Sequence, residues 1–216
     1  MSINNDIYAF LYSTLGPSSV VLDIGAYVGK VSRQLCNEIK GDPENFHLVE
    51  ACPRNYKILT KNNKMYNIYN VAIGDVNGIV DFFVGDHKGS EGSSQANSLF
   101  VDFIKKKEWN KTTKTHRIKS FTLDSFIREY GIKDIDLLKI NCEGAEYKIF
   151  STSTEFLDNV KYLYIQLHGK SPVFLTDEMI TKKKKIIKLL ETKFELVMGD
   201  DTNTKSHIHM LWKRKG

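Results

Sequence analysis

Nearly continuous apolar runs, rich in β-branched residues, recur along this chain, and helical patterns separate the first three of them. The runs occupy residues 20–22, 46–49, 70–73, 135–140 and 162–167. Strands that are buried on both faces of a parallel sheet have this composition, because helices cover both sides of such a sheet. The alternation of strand and helix therefore predicts an α/β fold whose parallel strands are joined by right-handed crossovers.

The helices are predicted from periodicity and from the residues that begin them. Apolar residues recur every fourth position from 30 to 39, and Pro53 suits the first turn of a second helix. A longer helix is expected to open near Thr176. After it, residues 194–197 and 207–212 are predicted to form an antiparallel hairpin that closes one edge of the sheet.

The length and composition favour a single domain. The chain has 216 residues, of which 41% are hydrophobic, which is enough for one core and too few for two domains of ordinary size. We expect one domain over residues 1–216, with a helical lead-in at 1–17. Residues 75–121 are predicted to be an excursion of loops and strands that covers the substrate site. It includes the wholly polar stretch 86–95.

Three features predict a cytoplasmic protein with no membrane partner. No run approaches the ~18 consecutive apolar residues of a bilayer-spanning helix. The first residues lack the basic segment of a secretory signal. The three cysteines, Cys36, Cys52 and Cys142, are odd in number and widely spaced, a pattern that fits neither a disulfide framework nor a zinc site.

The basic excess of the chain belongs to its second half. Residues 1–100 contain 8 Lys and Arg against 10 Asp and Glu, a net charge of −2, whereas residues 101–216 contain 23 against 16, a net charge of +7. This distribution is compatible with an anionic partner such as nucleic acid, a phosphorylated molecule or an acidic sugar. A surface of solvated lysines is the alternative.

A glycine turn, residues 23–29 (DIGAYVG), joins the first predicted strand to the first helix. Such a turn lets a ligand approach the backbone and the helix N-terminus. The G-x-G-x-x-G fingerprint of dinucleotide-binding proteins is absent, because Tyr27 stands where its middle glycine would be. Asp23 would repel a pyrophosphate but suits a cationic ligand such as S-adenosylmethionine, which carries a sulfonium and an ammonium. A tight structural turn is the alternative.

Acidic and amide side chains follow two further strands. Glu50 ends the second strand, 21 residues after Gly29, where an acid accepts hydrogen bonds from ribose hydroxyls. Asn141 and Glu143 follow the fourth strand, and we expect them to face the glycine turn, because ligands bind at the carboxyl ends of parallel strands. Lys139, inside that strand, requires a carboxylate partner or a ligand.

Five segments together point to a known family: VVLDIGAYVGKVS (20–32), HLVEACPRNY (47–56), NVAIGDVNG (70–78), SFTLDSF (120–126) and DLLKINCEGAEYKIF (136–150). Over about residues 18–168 the chain resembles the FkbM-type methyltransferases, which depend on S-adenosylmethionine. The resemblance implies a Rossmann-like class I fold: a mostly parallel seven-stranded sheet, helices on both faces and a terminal antiparallel hairpin. It also implies O-methylation of a hydroxyl on a sugar, polyketide or related small molecule.

The resemblance implies a role for each matching residue. The cofactor-binding residues would be Asp23, Gly25, Ala26, Tyr27 and Gly29 around the methionine part, Glu50 at the ribose, Ala51 and Ala72 near the adenine, and Asn141 near the amino-acid end of S-adenosyl-L-methionine. The family has an acid where this chain has Asn141. The amide keeps a hydrogen-bond acceptor but loses a charge, so roles that need a carboxylate there, such as ligating a metal, are in doubt, and no metal is expected.

Two residues are candidates for the catalytic proton transfer. His168 ends the fifth strand, and a histidine with a pKa near ~6.5 is a natural acceptor for a hydroxyl proton at neutral pH. Glu143 is the other candidate. A structural histidine is the alternative for His168, and Glu143, Glu146 and His168 lack the ligand spacing of a metal site. His87, in the polar stretch, is a weaker candidate that would act from a lid.

The leading hypothesis is S-adenosyl-L-methionine-dependent methylation of a hydroxyl on a small-molecule or saccharide acceptor, which the +7 half hints is acidic. The loop 86–98, with Trp109 and the basic segment 105–107, would cover that acceptor. Three alternatives stay open: a nucleic-acid-directed methyltransferase or nucleic-acid-binding protein that uses the basic half, an NAD-dependent oxidoreductase, and a cofactor-binding protein without turnover.

Overall fold

A computed structural model of the chain describes residues 3–86, 97–99, 112–152, 154–168, 176–200 and 207–216. The helices are α1 (Ile3–Thr14), α2 (Lys30–Glu38), α3 (Pro53–Asn62), α4 (Leu123–Glu129), α5 (Glu146–Ile149) and α6 (Asp177–Lys193). The strands are β1 (Val21–Ile24), β2 (Phe46–Val49), β3 (Asn67–Tyr69), β4 (Ala72–Ile73), β5 (Gly78–Asp86), β6 (Asn97–Ser98), β7 (Thr112–Phe121), β8 (Ile135–Ile140), β9 (Val160–His168), β10 (Phe194–Gly199) and β11 (His207–Arg214).

Seven of these strands form one sheet in the order β10-β11-β9-β8-β1-β2-β3. Five neighbouring strands of this order, β9, β8, β1, β2 and β3, pair in parallel, and β1 lies between β8 and β2. β11 runs antiparallel to β9 and carries β10 on its outer side. The predicted fold class is therefore confirmed: an α/β, mostly parallel, seven-stranded sheet with an antiparallel hairpin at one edge.

The third strand of this sheet is not the one that the sequence predicts. The apolar run 70–73 was expected there, but β3 precedes it and pairs with β2, while Ala72 and Ile73 form β4 in a second sheet. The side chain of Asn70 separates the two, because its amide donates to the carbonyls of Glu50 and Ala51 at 2.8 and 3.2 Å. β3 lies at the sheet edge and is half-buried, so it needs no continuous apolar run.

The second sheet has four strands in the order β4-β7-β5-β6. β5 and β7 form its long antiparallel pair, and β4 continues it in parallel with the end of β7. Its strands β5, β6 and β7 lie in the segment 75–121 that was expected to be an excursion, and β4 precedes that segment. The polar stretch 86–95 falls almost entirely outside the described residues, as do His87, the basic segment 105–107 and Trp109.

Neighbouring side chains of each central strand enter two different cores. In β1, Val21 packs in one cluster with Ile7 of α1 and Leu35 of α2. The next residue, Leu22, packs in the other cluster with Phe126 of α4. Because side chains alternate along a strand, one face of the sheet carries α1 and α2, and the other carries α4, α5 and α6.

Two smaller observations complete the fold. All three cysteines are free thiols; Cys36 and Cys52 are buried, and Cys142 is partly buried. In the part of the chain that the structure describes, no helix combines the length and the apolar character needed to cross a lipid bilayer.

Candidate active site

A cavity of about 380 Å³ lies where β1, β2 and β8 end. Its size falls within the ~300–1,000 Å³ that small-molecule sites usually have. Eight residues that the sequence assigns to the site line it: Gly25, Ala26, Tyr27, Glu50, Ala51, Ala72, Asn141 and Glu143. The other three, Asp23, Gly29 and His168, are not among its lining residues.

Gly25 sits where two strand ends touch. Its backbone is left-handed, with φ +84°, and a Cβ atom there would lie 1.9 Å from the carbonyl oxygen of Asn141. Its N–H and that of Ala26 both donate to the carbonyl of Val49, at 2.9 and 3.0 Å. Only glycine fits this position, because any side chain would push β8 away from the turn.

Gly29 serves packing rather than ligand access. It is the N-cap of α2, with φ +76°, and a Cβ atom there would lie 2.6 Å from a methyl group of Leu59 and 3.0 Å from the amide nitrogen of Asn63. The second glycine of the turn thus lets α2 approach α3 closely. The structure gives it no contact with the cavity that the first glycine lines.

The carboxylate of Asp23 forms an ion pair with another residue of the protein. Asp23 is 1% exposed, and its carboxylate lies 2.6 Å from the ammonium of Lys139 on the neighbouring strand. It also accepts a hydrogen bond from the hydroxyl of Ser32. Burial by itself lowers the pKa of Lys139, but the charge of Asp23 outweighs burial and raises it, so the pair is ionic. The expected direct contact between Asp23 and a cationic ligand is therefore replaced by a buried ion pair, with Lys139 on the cavity wall.

Glu50 lies at the end of β2 with its carboxylate turned into the cavity wall. Its Oε2 accepts the N–H of Tyr27 at 2.8 Å, and its Oε1 accepts the N–H of Cys52 at 2.9 Å and the amide of Asn55 at 3.3 Å. A carboxylate has about four acceptor sites, so one is left for a ligand. Burial raises the pKa of Glu50 to about 7, although these hydrogen bonds oppose the rise.

Asn141 follows β8 and packs against the glycine turn. Its backbone N–H donates to the carbonyl of Ile24 at 3.0 Å. Its side-chain Oδ1 is buried on the cavity wall, and among the described residues no donor lies within hydrogen-bond distance. A buried acceptor without a donor is costly, so this atom indicates where a ligand donor is expected.

Two non-glycine residues of the cavity wall have a left-handed backbone, Tyr27 with φ +56° and Glu143 with φ +52°. This conformation costs about 1–3 kcal/mol per residue and is commonest at functional sites. Hydrogen bonds hold both residues: the N–H of Tyr27 donates to Glu50, and the hydroxyl of Ser98 donates to the carbonyl of Glu143 at 2.8 Å. The strain fixes two side chains that face the same cavity.

Glu143, His168 and Glu146 form a charged cluster at the ends of β8 and β9. His168 Nδ1 lies 3.2 Å from Glu146 Oε1, and its Nε2 lies 3.6 Å from Glu143 Oε1. Glu146 is fully buried and also accepts the N–H of Cys142 at 2.8 Å. The side chain of Glu143 is 25% exposed and lines the cavity. The cluster therefore connects the interior of the protein with the cavity wall.

The surroundings of His168 bear on its expected role as an acceptor for a hydroxyl proton. Burial alone lowers the pKa of its imidazole, but the carboxylates of Glu146 and Glu143 outweigh burial and raise it to about 10. At neutral pH the ring is a cation, which has no lone pair for a substrate proton, and it is only 2% exposed. Within the described residues no group of His, Cys, Asp and Glu has the arrangement of a metal site.

Several cavity residues carry no signal in the sequence. Asn4 and Tyr8 of α1 and Gln166 of β9 line one end, and Phe82 of β5 and Leu99 line another. They come from segments far apart in the chain and share no motif, so only the packing of α1 and of the second sheet brings them to the cavity.

Comparisons with known proteins identify the family of this chain. A family model described as the methyltransferase FkbM domain matches residues 23–190. The chain is also 24% identical over 157 residues to the 2-O-methyltransferase NoeI of Sinorhizobium fredii, and the match covers 69% of this chain and 63% of that protein. The chain therefore spans less than two thirds of this relative. The family model confirms the resemblance stated above and provides no support for an oxidoreductase.

Three solved structures with the same fold are distant from this chain in sequence. The FkbM methyltransferase of Methylobacillus flagellatus superimposes with a TM-score of 0.55 at 13% identity, over 95% of this chain and 47% of that one. The protein SMU.1697c of Streptococcus mutans, solved with S-adenosylhomocysteine (SAH), gives 0.54 at 9% identity over 100% and 99%. An rRNA methylase of Streptococcus thermophilus gives 0.53 at 10% identity over 100% and 98%. At these identities the likeness shows the Rossmann-like fold alone.

Proposed function

Because the chain belongs to the FkbM methyltransferase domain family, we propose that it transfers the methyl group of S-adenosyl-L-methionine to a hydroxyl oxygen of a small-molecule or saccharide acceptor. The observation that carries this proposal is one cavity lined by both the Gly25 turn and the buried carboxylate of Glu50. Transfer to oxygen is supported by the relative from Sinorhizobium fredii, which is a 2-O-methyltransferase.

The residues of the cavity fit this cofactor. Glu50 has an acceptor site left for a ribose hydroxyl, and the buried Oδ1 of Asn141 suits a donor such as the cofactor's ammonium. Ala51, Ala72 and Phe82 belong to one apolar cluster beside Glu50, which suits the adenine ring. A ribose hydroxyl, the ammonium and the adenine ring of the ligand thus each have a counterpart in the cavity.

The bound cofactor supplies a methyl group already activated by its sulfonium, so the protein mainly has to align the acceptor oxygen and exclude water. Glu143 is our candidate for the proton acceptor, because its carboxylate lines the cavity and is 25% exposed. His168 does not touch the acceptor in this scheme. Its imidazolium holds Glu143 from behind, while Glu146 fixes the imidazolium.

The net charge of +7 in the second half of the chain is the basis on which we propose an acidic acceptor, and the lysines of α6 contribute to it. Lys184, Lys185 and Lys188 are exposed there, in the half of the chain with a net charge of +7. The same lysines support a second candidate, an RNA acceptor. Transfer of a radiolabelled methyl group to acidic oligosaccharides and to RNA distinguishes the two, and transfer to RNA that falls steeply with salt would favour the second.

Binding of SAH is the first test of the proposed function. A ligand at 100 times its Kd stabilises the folded state by about 2.7 kcal/mol. We expect saturating SAH to raise the melting temperature by several degrees and NAD⁺ at the same concentration to leave it unchanged. The proposal fails if SAH gives no shift in calorimetry or thermal melting, or if NAD⁺ gives the larger one.

The pKa of Glu50 predicts a proton release on binding. In the free protein this pKa is about 7, raised from 4.5 by burial. Ribose hydroxyls donate to the charged form, so binding lowers the pKa and releases a proton near neutral pH. We expect the affinity for SAH to rise between about pH 6 and about pH 8, with proton release measured by titration calorimetry in buffers of different ionisation enthalpy.

The matched variant for this measurement is Glu50→Gln, which keeps the shape of the side chain and cannot titrate. We expect it to bind SAH more weakly and without proton release. Because the pKa of Glu50 is higher in the folded than in the unfolded state, its contribution to stability is present below about pH 4.5 and lost as the pH rises through about 7. Equal proton release by both proteins would contradict the assignment of Glu50 to the ribose.

A further inference from the structure

The cavity has a second end that the assigned cofactor residues do not explain. Glu50 follows β2, whereas Gln166 lies on β9, three strands away in the order β9-β8-β1-β2. Strands lie about 4.8 Å apart, so the two ends are separated by roughly 14 Å. Asn4 and Tyr8 of α1 line this far end together with Gln166. The family match begins at residue 23, so α1 lies outside it.

α1 is held at this end by a specific contact. The hydroxyl of Tyr164 on β9 lies 2.7 Å from Asn4 Oδ1 and 2.7 Å from His209 Nδ1. The ring of Tyr8 packs edge-on against Tyr164, with 5.7 Å between the ring centroids. On the underside, Ile7 is fully buried in the core that α1 shares with α2. The first turns of α1 are therefore fixed against the wall of the cavity.

The α1 end of the cavity and the segment that follows Glu143 belong to opposite faces of the sheet. α1 and α2 pack on one face, and Lys30 and Val31, in the first turn of α2, also line the cavity. Glu143 leads instead into α5, whose Tyr147 and Ile149 pack in the core of the opposite face. An acceptor that meets Glu143 thus approaches from the other side, and the α1 end is left for a part of the cofactor.

The chemistry of this end suits a zwitterion. Lys139 is on the wall, and its ammonium has three donors, of which Asp23 accepts one at 2.6 Å. Asn141 provides a buried acceptor, and Tyr8 and Gln166 add a hydroxyl and an amide. An ammonium needs acceptors and a carboxylate needs donors, and both kinds of group are present here.

We infer that α1 completes the site for the α-amino and α-carboxylate groups of S-adenosylmethionine, with Tyr8 and Gln166 as residues that bind this end of the cofactor. The inference rests on the proposed function, because it takes S-adenosylmethionine as the ligand. It adds that a helix outside the matched family segment binds the cofactor. Ligands with the amino-acid end therefore add contacts to α1 beyond those that already fix it to the cavity wall, and ligands without that end do not.

Two ligands that differ only at this end provide the test. SAH has the amino-acid end, and 5′-deoxy-5′-methylthioadenosine keeps the adenosine and the thioether but lacks it. We expect Tyr8→Phe and Gln166→Leu each to weaken SAH binding roughly 10-fold or more in titration calorimetry, since each loses a hydrogen bond to a charged group. Binding of methylthioadenosine is expected to stay within about two-fold of the unsubstituted protein, which also shows that the variants fold.

Tyr12→Phe is the matched control, because Tyr12 lies one turn further along α1 and is not among the residues that line the cavity. It is expected to bind both ligands as the unsubstituted protein does. In hydrogen exchange, SAH is expected to slow the amides of α1 and methylthioadenosine to leave them unchanged.

The outcomes separate this inference from the proposed function. If the unsubstituted protein binds SAH and both variants bind it equally well, the inference fails and the proposed function stands. Equal losses for the two ligands would assign Tyr8 and Gln166 a purely structural role and would also overturn it. If the unsubstituted protein binds neither ligand, the proposed function fails and the inference with it.

Discussion

Replacing Asp23 by asparagine is expected to destabilise the folded protein by about 3–5 kcal/mol, the usual cost of leaving one partner of a buried ion pair without the other. The ammonium of Lys139 lies 2.6 Å from this carboxylate, and Lys139 is 7% exposed. The amide of Asp23→Asn keeps the shape and removes the charge, so Lys139 must lose its proton or draw water into the sheet. The free energy of unfolding from urea denaturation measures the effect.

Glu178→Gln is the control for this loss. Glu178 pairs with Lys182 at 2.7 Å, but both side chains are well exposed, so the same chemical change is expected to cost less than about 1 kcal/mol. The double variant Asp23→Asn, Lys139→Met removes both charges and is expected to recover a large part of the stability. If Asp23→Asn keeps its stability and loses SAH affinity by orders of magnitude, Asp23 contacts the ligand directly and our interpretation of the ion pair is wrong.

Replacing Glu143 by glutamine is expected to lower kcat by about 10²–10⁴-fold, the range that general-base catalysis contributes. The amide keeps the size of the side chain and cannot take the hydroxyl proton. SAH affinity is expected to be unchanged, because Glu143 faces the acceptor in the proposed mechanism. Transfer of a radiolabelled methyl group to a panel of mono- and oligosaccharides, under saturating cofactor, measures the rate.

A control variant and two contradicting outcomes complete the test of Glu143. Glu178→Gln, in the first turn of α6 and not among the residues that line the cavity, is expected to turn over at the normal rate. Full activity in Glu143→Gln would remove Glu143 from the mechanism, and equal losses of SAH affinity and turnover would make it a residue that binds the cofactor. The charged cluster behind Glu143 predicts that its carboxylate is held in one position, because His168 lies 3.6 Å from it and Glu146 fixes His168 in turn.

The central strands are the part of the fold that the sequence predicts best. The predicted runs 46–49 and 135–140 coincide with β2 and β8, and Thr176 accepts the N–H of Met179 at 3.3 Å as the N-cap of α6. Burial on both faces demands a continuous apolar run, so these strands are visible in the sequence. The edge strand β3 is half-buried, and its position was predicted wrongly for that reason.

For the site as well, the sequence predicts the residues whose role depends on chain neighbours and does not predict those whose role depends on distant contacts. Gly25 and Glu50 act within a few residues of a strand end, so a motif of fixed spacing predicts their place on the cavity wall. The roles of Asp23 and His168 depend instead on partners that lie elsewhere in the chain. Asp23 pairs with Lys139, and His168 lies between Glu143 and Glu146. The sequence shows that Lys139 needs a carboxylate partner or a ligand, but it does not show that the partner is Asp23.

The sequence by itself determined the α/β class, the family and the strand ends at which the cavity lies, because strand burial, glycine turns and strand-end acids are set by neighbours in the chain. The tertiary structure decided which charges remain available to a ligand. It paired Asp23 with Lys139 across two strands and enclosed His168 between two glutamates. It also brought α1 to the cavity. The physical reason is that the state of a charged side chain depends on burial and on the nearest opposite charge, and both are set by packing between segments far apart in the sequence.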